Sequence, residues 1–219
     1  MPKIKIDLPQ EAYLNNPFLR LVNRQHQLRS ELVFDRFKIG RQSFDKGILD
    51  NLMHLISDAE RHMFKITLVC GYKSIAQQKQ RYDRQIRLLK KQGLTSIEAA
   101  SELLQTMPEP GASEHHTGLA VDLIDKSFLD EMGGLSTASD QLSSQQWLIA
   151  NCSKYGFILR FPKDKEAQTG VAYKSWHFRF VGIENARYMQ ALNLSLEELI
   201  TLLKKEKRDK LTIPTQYNS

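Results

Sequence analysis

The sequence predicts an α+β domain in which a small, mostly antiparallel sheet is flanked by helices. Three observations carry that reading. Apolar residues recur at helical spacing near both ends, short apolar runs suited to strands lie between them, and the two do not alternate in strict βαβ order. With 219 residues, 41% of them hydrophobic, the chain can bury one core. Residues 1–219 therefore read as one domain, with 1–40 an irregular N-terminal arm and 204–219 a basic polar tail.

The elements follow in order. Phe44, Ile48, Leu52, Leu55 and Ile56 recur at helical spacing and predict a helix from Ser43 to about His62, leading into a buried strand over Phe64 to Cys70. After the turn at Gly71-Tyr72-Lys73-Ser74, a polar helix covers Ile75 to Lys91 and breaks at Gly93. Thr95 and Glu98 have the spacing of a capping box for the next helix, which must end before Pro108. Pro108-Glu109-Pro110-Gly111 cannot continue a helix, because proline lacks an amide donor and restricts the residue before it. A strand is expected over Leu119 to Ile124, then a helix from Ser144 to Tyr155 with Trp147, Leu148 and Cys152 inward, stopped by Gly156. Phe157 to Phe161 and Trp176 to Val181 read as further strands, with Trp147, Leu148, Phe157 and Leu159 expected in the core. A terminal helix starts at Ser195, capped by Glu198 and flanked by a Leu194/Leu199 staple.

Composition excludes several function classes. No apolar run reaches the ~18 residues of a membrane span, and Met1 to Asp7 has no signal-peptide core. The expectation is a cytoplasmic monomer, or a protein exported on a signal outside this sequence. The net charge of +6 would suit an anionic partner, but much of it lies in Lys204 to Lys210, where cations complement a helix end and no aromatic residues interleave. Nucleic acid is therefore not expected as a partner. Cys70 and Cys152 do not make a disulfide framework and read as buried free thiols.

The chemistry concentrates in two segments about sixty residues apart, Ser113-Glu114-His115-His116-Thr117-Gly118-Leu119-Ala120-Val121-Asp122 and Tyr173-Lys174-Ser175-Trp176-His177-Phe178-Arg179. Each alone is weak. Together they offer two imidazoles and a carboxylate, a three-ligand zinc set that leaves a position open for water or substrate.

These residues closely resemble the zinc D-alanyl-D-alanine peptidases of the VanY, VanX and VanXY type. The likeness runs from about Leu21 to Gly182. It includes Leu21-Val22-Asn23 with Leu28, Gly71-Tyr72-Lys73-Ser74 with Gln78, and Tyr155-Gly156-Phe157-Ile158-Leu159-Arg160-Phe161-Pro162. The resemblance implies a bacterial cell-wall hydrolase in which His115, Asp122 and His177 bind zinc at the sheet. It also implies that Gln78, Ser113 and Tyr173 line the pocket for a peptidoglycan stem peptide or a D-Ala-D-Ala-terminated precursor. His116 has no ligand role in that pattern, and would be exposed or support the ligands.

Two positions depart from the family. Its mechanism uses a glutamate, three residues before the second histidine, to take a proton from water, and an arginine to steady the oxyanion or carboxylate. Here those catalytic positions hold Lys174 and Lys73. An ammonium accepts no proton, whereas a lysine made neutral by desolvation and zinc could act as base. Glu114 and Glu166 are the acids that would otherwise substitute. The sequence thus predicts either a zinc-dependent D-alanyl-D-alanine carboxypeptidase slowed by Lys174, or a catalytically impaired zinc-bound module that binds stem peptides.

Overall fold

The computed structural model of the chain describes residues 7–210. A hairpin of β1 (Arg36–Ile39) and β2 (Gln42–Asp45) leads into α1 (Leu49–Arg61) and β3 (Ile66–Cys70). Two helices follow, α2 (Ile75–Lys91) and α3 (Ser96–Thr106), then β4 (Ala120–Asp125), α4 (Lys126–Met132) and α5 (Ser143–Asn151). The rest is β5 (Phe157–Leu159), α6 (Glu166–Thr169), β6 (His177–Phe180), α7 (Ile183–Ala191) and α8 (Leu196–Lys205). The main sheet is antiparallel in the order β3-β4-β6-β5. The α+β expectation holds.

Local signals placed the helices well. Thr95 and Ser195 each close a capping box with the glutamate three residues on, and Ser74 does the same with Gln77. Gly156, at φ +80°, ends the turn after α5, which tightens into a 3-10 segment over Cys152–Tyr155.

The N-terminal expectations need correction. The arm is not irregular throughout, and the helix does not begin at Ser43. Gly40, at φ +56°, and Arg41 close a two-residue hairpin that makes residues 42–45 a strand. Asp45 then accepts from the Gly47 amide and starts a 3-10 turn ahead of α1. Phe44 and Ile48 face the core from a strand and a turn, so their spacing of four mimics a helix. Helices α4, α6 and α7 were also not anticipated.

Period-two alternation gives the sheet two faces. Val121, Leu123, Phe157, Phe178 and Phe180 pack with Leu52, Leu55 and Leu148 in the main core. Trp147 and Leu159 lie half-buried at its edge. A second apolar cluster joins Val181 and Met189 to Leu199 and Leu203 of α8. The alternate residues of β4 and β6, Asp122, His177 and Arg179, fall on the other face, and all three are buried.

Candidate active site

The loop after α3 delivers a 3-10 turn, Glu114–Thr117, that ends at Gly118 with φ +73°. A Cβ at Gly118 would stand 2.6 Å from the Phe34 ring and 2.8 Å from the Asp45 amide nitrogen, so the turn can approach the hairpin only through glycine. This turn places His115 over β4. In the ladder, Asp122 stands opposite His177.

Asp122 lies between the two imidazoles. Its Oδ1 is 2.8 Å from His177 Nδ1 and its Oδ2 is 3.3 Å from His115 Nε2. The rings are 5.0 Å apart and nearly perpendicular, and Phe161 stacks on the far side of His177. Burial alone would keep His115 neutral, but Asp122 and Cys70, through charge and hydrogen bonds together, outweigh it and lift the imidazole pKa to about 9. Asp122 is held well below the ordinary carboxylate range: burial opposes ionisation, and the two histidines overcome it.

The other nitrogen of His177 faces Glu114. His177 Nε2 and Glu114 Oε2 are 3.6 Å apart, and neither atom has a hydrogen-bond partner. Glu114 is fixed from behind, its Oε1 accepting from Arg160 Nε at 2.8 Å and from Arg179 Nη1 at 3.0 Å. Arg160 also grips both oxygens of Glu197, while Arg179 Nη2 donates to the carbonyls of Phe18 and Arg20. Burial disfavours the Glu114 charge, yet the two guanidiniums pull its pKa far below the usual range. A carboxylate so aimed at Nε2 orients the ring and leaves Nδ1 toward Asp122, the support that metal-binding histidines usually have.

Two imidazoles and a carboxylate, buried together with an oriented second nitrogen, suit a divalent metal such as zinc. They lie on the wall of a cavity of about 630 Å³. Lys73, Gln78, Ser113 and Lys174 line the same cavity. Gln78 is buried and donates to the Pro108 carbonyl at 2.7 Å. The cost of desolvation and the charge on Lys73 lower the pKa of Lys174, although Asp122 and Glu114 oppose them.

Some sequence expectations do not survive. Tyr173 is not on the cavity wall, because its hydroxyl is drawn to Asp140 at 3.1 Å and its ring lies under the Lys163 ammonium. His116 is fully buried, not exposed; its Nδ1 donates to the Lys73 carbonyl at 2.7 Å and its Nε2 accepts from the Gly111 amide. It ties the cavity loops together. Of the acids offered as substitute bases, Glu114 is held through Oε1 by two arginines, and Glu166 lies off the cavity wall with Oε1 accepting from the Tyr173 amide at 2.7 Å. The supporting residues Arg160 and Arg179 were missed as functional. A faint signal existed in the alternation His177-Phe178-Arg179-Phe180, which puts a charge on the sheet face opposite the core.

Fold and site together have the make-up of a metallopeptidase. The chain belongs to the VanY D-alanyl-D-alanine carboxypeptidase family, whose match covers residues 41–183. Among curated relatives, Bacillus subtilis YodJ is 32% identical over 88% of this chain and 71% of its own length. A D-alanyl-D-alanine carboxypeptidase of Enterococcus faecalis is 31% identical over 83% of this chain, which spans 65% of that protein. Among solved structures, VanYB in complex with D-alanine-D-alanine superposes with a TM-score of 0.72 at 32% identity, covering 84% of this chain and 97% of that one. A VanY D,D-pentapeptidase variant in complex with Zn(II) gives the same TM-score at 30% identity, covering 84% and 99%.

Proposed function

We propose that this chain is a zinc-dependent D-alanyl-D-alanine carboxypeptidase that removes the terminal D-Ala of peptidoglycan stem peptides or their precursors, slowed because Lys174 replaces the carboxylate base. The observation that supports this most is the position of Asp122, between two imidazoles on the wall of a cavity that Gln78 and Ser113 also line. His115, Asp122 and His177 would hold zinc, which when bound supplies Lewis acidity toward the scissile carbonyl and toward water. A structural relative binds D-alanine-D-alanine, and another holds Zn(II).

The chain's own residues divide the remaining work. Lys73 carries the positive charge that would meet the substrate carboxylate or the developing oxyanion, without the planar fork of an arginine. Glu114 keeps His177 in one orientation. The two carboxylates acting on Lys174, Asp122 and Glu114, are held as anions well below the ordinary carboxylate range and are weak proton acceptors. Loss of general-base assistance lowers rates by about 10²–10⁴.

That same vacancy of a base favours a second reading, a zinc-bound module that recognises stem peptides and does not cleave them. One assay separates the two. Zinc-loaded protein is incubated with a pentapeptide ending in D-Ala-D-Ala, and D-alanine release is followed beside a His115→Ala control while peptide binding is measured by calorimetry. Release above the control supports the enzyme, whereas binding without release supports the module. With neither, both readings fail.

A further inference from the structure

Two cysteines lie among the described residues, and their surroundings differ. Cys152 sits in the apolar core, where burial pushes its thiol up to about 12. Cys70 ends β3 and touches a polar group, its Sγ lying 3.7 Å from His115 Nδ1. A backbone irregularity makes that contact. Leu68 stands opposite Leu123, and the next pair is Cys70 with Asp122, so a bulge skips Val69. A regular ladder would set Val69 opposite Asp122 and turn Cys70 to the other face. With the bulge, Cys70, Asp122 and His177 form one row across three strands, and His115 packs against it.

Donor atoms of Cys70, His115 and Asp122 lie within 4.8 Å of one another, close enough for the sulfur to be a metal ligand or the support of one. The sides of the imidazole decide between these. Asp122 is at Nε2 and Cys70 is at Nδ1. Cys70 is also absent from the cavity wall that His115, Asp122 and His177 share. A sulfur behind the ring can accept the Nδ1–H hydrogen bond, so that when His115 gives up a proton to metal it is Nε2 that is freed toward Asp122 and the cavity.

We propose that Cys70 is the positioning residue of His115: its sulfur accepts the Nδ1–H hydrogen bond, selects the tautomer that ligates through Nε2, and so sets the metal affinity of the site. The proposal rests on the reading of His115 as a zinc ligand. It makes the two histidines alike in plan and unlike in chemistry. His177 is backed by a carboxylate that two arginines fix, and His115 by a thiol, a weak acceptor.

The test uses the full chain and Co(II), whose visible bands report binding without turnover. Wild type, Cys70→Ala and Cys70→Ser are titrated, and the unfolding midpoint of each metal-free protein is measured alongside. Alanine should weaken Co(II) binding by about 10–100-fold, serine by less, at unfolding midpoints close to wild type. The imidazole ¹⁵N shifts of the zinc-loaded wild type should show His115 protonated at Nδ1. Equal Co(II) affinity in wild type and Cys70→Ala overturns the proposal. So does a thiolate-to-cobalt charge-transfer band that disappears in Cys70→Ser, since it would make Cys70 a direct ligand. Failure of the wild type itself to bind Co(II) would remove the metal reading, and with it this role for Cys70.

Discussion

Four cationic side chains surround the Asp122 row, and the two pairs could hardly be treated more differently. Arg160 and Arg179 are fully buried, and each guanidinium is matched to Glu114, Glu197 or backbone carbonyls. Lys73 and Lys174 are half-buried on the cavity wall, where the Lys174 ammonium lies 5.4 Å from the centre of the Phe161 ring. The arginines resemble construction: remove one, and buried Glu114 loses one of its two counter-charges. The lysines are turned toward whatever enters. In this molecule the strength of a charge's pairing separates the residues that hold the site from those that face the open cavity.

The largest effect is expected on the buried side. Arg179→Ala takes from Glu114 one of its two counter-charges and from the Phe18 and Arg20 carbonyls their donor, and should cost about 3–5 kcal/mol of folding stability, read from urea unfolding of the metal-free protein. A loss under about 1 kcal/mol would mean that the network is not structural, and the contrast with the lysines would collapse.

On the cavity side, Lys174→Glu should leave the unfolding midpoint and zinc content near wild type while raising D-alanine release about 10²-fold, equivalent to roughly 2.7 kcal/mol of barrier. A carboxylate there can take a proton from water and return it to the leaving amine. If the wild type already turns over at rates ordinary for enzymes and the glutamate slows it, Lys174 is a working base and the division drawn above is wrong at that residue.

His115 lies between the two sides, and its response to pH follows from its raised pKa. Metal needs the neutral imidazole, so apparent zinc affinity should rise about tenfold per pH unit up to about 9, where His115 loses its proton, and then level off. In the metal-free protein the sign is reversed. The His115–Asp122 pair contributes fully below the ordinary histidine value of 6.5 and is lost as pH rises through about 9. Zinc titrations with a competing chelator between these limits would check the slope, and a flat profile would show that His115 is not a ligand.

The smallest effect should come from Lys73→Arg in the Lys174→Glu background. The fork can grip two oxygens where an ammonium grips one, so a gain of a few-fold, about 1 kcal/mol at most, is expected. A change confined to KM would assign Lys73 to the substrate carboxylate, and a change in kcat would assign it to the oxyanion.

Much of this was legible in advance where the signal is local. Capping at Thr95 and Ser195, the break at Pro108 and the stop at Gly156 all depend on backbone groups within a few residues, and each element formed where those groups dictate. The His115, Asp122 and His177 candidates could be read as well, because two compact segments carry the donors. Tyr173 and the start of α1 were misread for one reason: spacing says which residues share a face but not which partner that face meets. Phe44 faces the core equally well from a strand, and Tyr173 finds Asp140 instead of the cavity.

By itself, then, the sequence determined the capped helix ends, the alternation of the strands and the candidate donor residues. Only the tertiary structure decided how those donors are held. The bulge that turns Cys70 toward His115 is a property of two paired strands, not of one. Glu114 meets Arg160 across 46 residues of chain and Arg179 across 65. The two carboxylates that face Lys174 are held by other partners, Glu114 by those arginines and Asp122 by the two histidines. Pairing of this kind is set by the energy of burying charges together, and no periodicity along the chain records it.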